Sequence, residues 1–99
     1  MSGALEGIRV VELAHIMAGP VCGLMLADMG ANVIKVERLP GGDGTRGFVP
    51  PDIEGESAAF MMLNRGKRGL ALDLRSTAGL DVVRRLIGGA DVVIENFRV

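Results

Sequence analysis

The feature that most restricts this chain is a strand–helix–strand alternation packed into its first third. Residues 7–13, GIRVVEL, are β-branched and mostly apolar and read as a strand. Residues 17–20, Met-Ala-Gly-Pro, form a turn, and Pro20 suits the first helical position because it has no N–H to lose. The spacing of Val21, Leu24 and Met25 predicts a helix over 21–29, closed by Gly30 in the left-handed conformation. Residues 32–37, NVIKVE, read as a second strand. A βαβ unit of roughly thirty residues has few solutions: the strands pair in parallel and the crossover is right-handed.

The rest of the chain repeats the theme after an irregular interval. Residues 39–44 and 49–52 carry Pro, Gly and Asp in turn chemistry with no periodic apolar face. A short helix is predicted over 57–63, with Ser57 as its cap, and a strand over 69–74. Ser76 caps a further helix through Gly88, whose apolar face is Leu80, Val83 and Ile87 with Leu86 beside it. Residues 90–95 form the last strand. The order β-α-β-loop-β-α-β predicts an α/β fold built on an open parallel, Rossmann-like sheet. In such sheets ligands bind beyond the carboxyl ends of the strands. Residues 96–99 lie where the last of those loops begins, so the chain reads as the front end of something longer.

Several function classes are excluded early. A 99-residue chain supports one small domain. A formal charge of −1 gives no general affinity for nucleic acid. Three phenylalanines, with no Trp or Tyr, leave little to stack on bases. No apolar run reaches the ~18 residues of a membrane span, and no basic-then-apolar secretion signal opens the chain. The single cysteine, Cys22, forms no internal disulfide and no zinc site. A soluble, cytoplasmic protein that binds no metal is the expectation.

Candidate ligand contacts gather at the strand ends. The turn before the first helix, residues 15–23, offers the free N–H groups of Val21 and Cys22 and the positive end of a helix dipole, which favour an anion. It is not G-x-G-x-x-G, so the nicotinamide fingerprint is incomplete, and its glycines serve tight helix–sheet packing equally well. Glu37 and Arg38 end the second strand, where an acid fits a ribose hydroxyl and an arginine fits a phosphate, or where the pair is simply the solvated end of a strand. Six of the eleven basic residues, Arg38, Arg46, Arg65, Lys67, Arg68 and Arg75, fall in the middle of the chain. Arg65-Gly66-Lys67-Arg68 groups three with no neighbouring acid, which suits a polyphosphate ligand or a solvated loop equally. His15, the only histidine, is either an acid–base group or a turn residue bonding backbone. Cys22 is expected on the buried side of its helix, and the methionines as core or adaptable lining. No complete catalytic set is present.

Six blocks in order resemble the N-terminal segment of the family III CoA-transferases, the CaiB/BaiF group that includes formyl-CoA transferase, carnitine CoA-transferase and α-methylacyl-CoA racemase. They are LxGIRVVEL at 5–13, AGP at 18–20, LADMGANVIKVE at 26–37, GDxTRG at 42–47, NRGKRxLxLDL at 64–74 and ADVVIENFR at 90–98. The resemblance implies that residues 1–99 are the N-terminal portion of a CoA-binding α/β domain, the remainder of the family fold lying beyond. It implies that coenzyme A, as acyl-CoA, is bound by Met17 and Ala18, by Arg38, by Leu72, Asp73, Leu74 and Arg75, and by Asn96, Phe97 and Arg98. It also implies a carboxylic acid as second substrate, an interlocked homodimer of the full-length protein, and an aspartate nucleophile beyond residue 99 that carries CoA as an aspartyl thioester. None of the twelve acids here takes that role. Met17 departs from the formyl-CoA transferase pattern, which has a glutamine there, and so points to a bulkier or more apolar acyl group; His15 keeps that pattern. The alternatives are a racemase-type epimerase of the same family and a non-catalytic CoA- or nucleotide-binding module.

Overall fold

In a computed structural model, which describes residues 3–98, a parallel sheet whose two central strands are covered on both faces follows from strands whose two sides are both apolar. Strand β1 (Arg9–Glu12) alternates its side chains, sending Val10 to one face of the sheet and Val11 to the other. Strand β2 (Asn32–Arg38) does the same with Val33 and Val36. Between them runs helix α1 (Ala18–Asp28). The β1–β2 pairing is parallel, with Glu12 opposite Lys35 in register.

Beyond β2 come a 3-10 turn at Gly44–Gly47, a two-residue hairpin of β3 (Asp52–Ile53) and β4 (Glu56–Ser57), and helix α2 (Ala58–Asn64). Strand β5 (Arg68–Leu72) adds in parallel to β2, helix α3 (Thr77–Gly88) crosses back, and β6 (Val92–Ile94) adds in parallel to β1. The sheet order is therefore β5-β2-β1-β6. One core lies on the α1 side, with Val10, Ala14, Ala31, Val33 and Ile94 under Leu26 and Ala27. The other lies on the α3 side, with Val11 and Val36 under Val83 and Leu86.

The expected elements are all found, with bounds shifted by a few residues. Helix α1 begins at Ala18 rather than at residue 21, because the Val21 N–H already donates to Met17 O at 2.8 Å. Gly30, at φ +100, closes it as predicted, with Gly30 N–H donating to Ala27 O and Ala31 N–H to Leu26 O, both at 3.0 Å. Ser57 and Ser76 cap α2 and α3, each accepting from the backbone N–H three residues on. Three expectations need correcting. Val21 is not a free donor, and Cys22 follows it inside the helix, so neither N–H is available to an anion. The Cys22 side chain is exposed rather than buried, because α1 meets the sheet through Gly19, Pro20 and Gly23. Of the predicted α3 face only Val83 is buried, while Leu80 and Ile87 are exposed.

Candidate functional site

The sheet ends its strands at one edge, and the sequence-predicted contacts are distributed around that edge. Arg38 is the last residue of β2 and Leu72, its register partner, the last of β5. A 2.8 Å hydrogen bond from Leu13 N–H to Ile94 O brings the exit of β6 beside the exit of β1. Here a cleft of about 250 Å³ is lined by Leu13, His15, Glu37, Arg38, Leu74 and Phe97, among others. A second hollow of about 330 Å³ is lined by Arg38, Leu39, Pro40, Asp73, Leu74 and Arg75. The two share Arg38 and Leu74 in their walls and so adjoin, together making the groove at the carboxyl ends of the strands.

Arg38 is exposed, and the only hydrogen bond of its side chain among the described residues is a long one, from Nε to Gly42 O at 3.4 Å. No carboxylate pairs with it among the described residues. The Asp73–Arg75 turn is self-bonded: Asp73 Oδ1 accepts from Arg75 N–H at 3.0 Å, and Ser76 Oγ donates to Asp73 O at 2.8 Å. Asn96 does not line the groove. Its amide instead brackets His15, accepting from His15 N–H at 3.2 Å and donating to His15 O at 2.8 Å. Met17 stands at the start of α1, 60% exposed, with Ala18 following it. Arg98 is exposed beyond Phe97. The structure thus joins Arg38, Asp73, Leu74, Arg75 and Phe97 around the groove, with Leu72 at its floor strand, and sets Met17 and Ala18 apart on the β1–α1 turn.

Two sequence readings change here. Glu37 does not face a ribose: it accepts from Arg46 Nε and NH2, both at 2.7 Å, and from Asp43 N–H at 2.9 Å. The Arg46 guanidinium beside it, itself stacked 3.8 Å from the Phe60 ring centre, holds the Glu37 carboxyl below its usual range. The basic run at 65–68 is likewise not an open phosphate cradle. Arg65 pairs with Asp28 at 2.8 Å and Arg68 donates to Asn32 Oδ1 at 3.0 Å. Lys67 turns inward, 2.7 Å from Glu12 Oε1, and donates to Pro20 O and Asn64 Oδ1. Burial pushes the Lys67 ammonium below its ordinary value, and the Glu12 carboxylate only partly restores it.

Sequence reasoning missed the cluster to which Lys67 belongs. Beneath α1, Lys35 Nζ lies 2.8 Å from both Glu12 Oε2 and Asp43 Oδ2 and donates to Ala14 O at 3.2 Å. The contacts of Glu12 Oε1 and Asp43 Oδ2 are ion pairs without hydrogen-bond geometry. The four side chains, two cations and two anions, are all at most 3% exposed. Gly23 is required above them, since a β-carbon there would run into the Glu12 carboxylate. The available signal was a Glu and a Lys inside strands that are otherwise apolar, as a sheet covered on both faces demands.

A family model described as CoA-transferase family III matches residues 5–99. The succinate–glutarate CoA-transferase of Agrobacterium fabrum is 55% identical over an alignment covering 95% of this chain and 25% of its own length. The succinyl-CoA:mesaconate CoA-transferase of Haloarcula hispanica is 47% identical, covering 97% of this chain and 25% of its own length. Among solved structures, a CaiB/BaiF family protein from Brucella suis superposes with a TM-score of 0.91 at 52% identity, over 98% of this chain and 26% of that one. The chain spans about a quarter of the length of the relatives it matches.

Proposed function

The chain belongs to CoA-transferase family III, and from that premise we propose that it supplies the CoA-gripping first part of an enzyme that moves CoA between an acyl-CoA and a carboxylic acid. The observation that carries this reading is the groove at the strand ends, where Arg38, unpaired by any carboxylate among the described residues, faces the Asp73–Arg75 turn and Phe97. Guanidinium forks there match the phosphates of coenzyme A, and the apolar Leu74 and Phe97 suit its pantetheine arm. Leu72 backs the groove, Asn96 shapes it through His15, Arg98 adds charge at its rim, and Met17 and Ala18 meet the thioester end.

The acyl groups are four- and five-carbon dicarboxylates. Two of the similar proteins are named for succinate, glutarate and mesaconate, and the thioether of Met17 favours a chain with methylenes over a formyl group. The reacting aspartate lies outside these residues. Its carboxylate attacks the thioester carbonyl and expels CoA thiolate, leaving a mixed anhydride. The thiolate then attacks the aspartyl carbonyl and releases the donor acid, and the acceptor carboxylate takes the acyl position in the reverse sequence. A homodimeric assembly fits the exposed apolar side chains of Met25, Met62, Val92 and Val93, which need a covering surface. No nucleic acid or membrane is a partner in this reading, and no metal takes part.

Arg38→Glu tests it. In the protein that carries this chain, calorimetric CoA affinity should fall at least ~tenfold, the scale expected when one charge-assisted hydrogen bond to phosphate is replaced by repulsion. Succinyl-CoA:glutarate exchange should fall with it. Unchanged CoA affinity in the folded variant overturns the reading.

A further inference from the structure

Ile16 sits at φ +72, in the left-handed region that a β-branched residue enters only when its surroundings force it. What forces it is Asp43. Ile16 N–H donates to Asp43 Oδ1 at 3.0 Å, and the same oxygen accepts from Thr45 N–H at 2.9 Å and Thr45 Oγ1 at 3.0 Å. The other oxygen of Asp43 pairs with Lys35, which reaches Ala14 O on the near side of the same turn. Residues 14 to 16 are therefore tied in succession: Ala14 by Lys35, His15 by Asn96, and Ile16 by Asp43. From outside, Gly44 leaves room for Ile16, since a β-carbon there would lie 2.6 Å from Ile16 Cδ1.

We propose that the buried Lys35–Asp43 pair is a positioning device that holds the β1–α1 turn in a strained form and so sets Met17 and Ala18 against the acyl-CoA. Neither side chain needs to touch the substrate. The inference rests on the CoA site proposed above and adds the reason that the turn has one shape.

The protein that carries this chain is the test object, with CoA affinity by calorimetry, KM and kcat for succinyl-CoA, and the thermal midpoint as readouts. Asp43→Ala should weaken CoA binding and raise KM about tenfold, the size of one strained backbone geometry no longer held, with a smaller change in kcat. Adding Ile16→Gly, which reaches φ +72 without penalty, should recover most of that affinity while leaving the thermal midpoint low. A purely structural role predicts the opposite, no recovery of affinity from a second destabilising change. Asp43→Ala with unchanged CoA affinity, or no recovery with Ile16→Gly, overturns the proposal. If Asp43→Ala does not fold, Gly44→Ala presses on Ile16 with the ion pair intact and should raise KM similarly; an unchanged KM is again fatal. Arg38→Glu separates the two ideas. If it spares CoA binding, the site itself is wrong; if it abolishes binding while Asp43→Ala does not weaken it, only the positioning role is.

Discussion

Glu12 and Lys35 occupy strand positions that a doubly covered parallel sheet normally gives to Val or Ile, and the buried charge shapes what each residue nearby can tolerate. Stripping two ions of water is expensive, and the pairing returns that energy only while every partner is present. Lys67→Met should therefore destabilise the chain by roughly 3 kcal/mol, as expected when a buried partner of Glu12 is removed, measured by urea unfolding. If Lys67 instead bound phosphate, the same substitution would weaken CoA binding and leave stability alone. Asp43 carries a pH signature. Burial alone would raise its pKa, but Lys35 and the Thr45 and Ile16 N–H groups outweigh that and bring it from 3.8 to about 2. Its ionised form is thus preferred in the folded state, so this stability is complete above the unfolded value and drains away as pH falls from about 4 to about 2. Acid unfolding of Asp43→Asn should lose most of that dependence within the window; an unaltered profile contradicts the assignment. The charge partners were not legible in the sequence, because the run at 65–68 has no acid beside it and Glu12 comes from another strand.

At the scale of elements, caps and periodicity carried most of the information. Ser76 accepts from Gly79 N–H at 2.9 Å and also donates to Asp73 O. Ser76→Ala should cost about 1 kcal/mol through α3 alone. It should also loosen the Asp73–Arg75 turn, so its effect on CoA affinity should exceed that of Ser57→Ala, the matching cap on α2. The two helices on the sheet were read unequally. Helix α3 has a clear apolar stripe, yet Leu80 and Ile87 at its flanks stay exposed because only the Val11–Val36 face lies beneath it. Helix α1 is apolar nearly all round, so its buried side was hidden in the pattern. Small residues decide it: Gly19 and Gly23 let the backbone approach Ala14 and Glu12. The 3-10 turn and the β3–β4 hairpin leave no periodic signal in the sequence, since their elements are four residues or fewer and held by tertiary contacts such as Ser57 Oγ donating to Phe48 O.

For the whole molecule the deciding feature is incomplete cover. Among the described residues, edge strands β5 and β6 each leave one side unpaired, and Val92 and Val93 of β6 stand exposed. The isolated 99-residue chain should therefore self-associate, with a sedimentation coefficient that rises with concentration; a cooperative, concentration-independent monomer contradicts this. The order of strands and helices, their caps, Gly30 and the family itself were all readable along the chain, because each depends on residues within a few positions or on linear motif order. The groove and the buried ion cluster were not. Arg38 faces the 72–75 turn and Phe97 only because β5 and β6 flank the central strands, and Lys35 meets Glu12 across 23 residues of chain. Burial sets the strength and partners of a charge, and burial exists only once distant segments have closed over it.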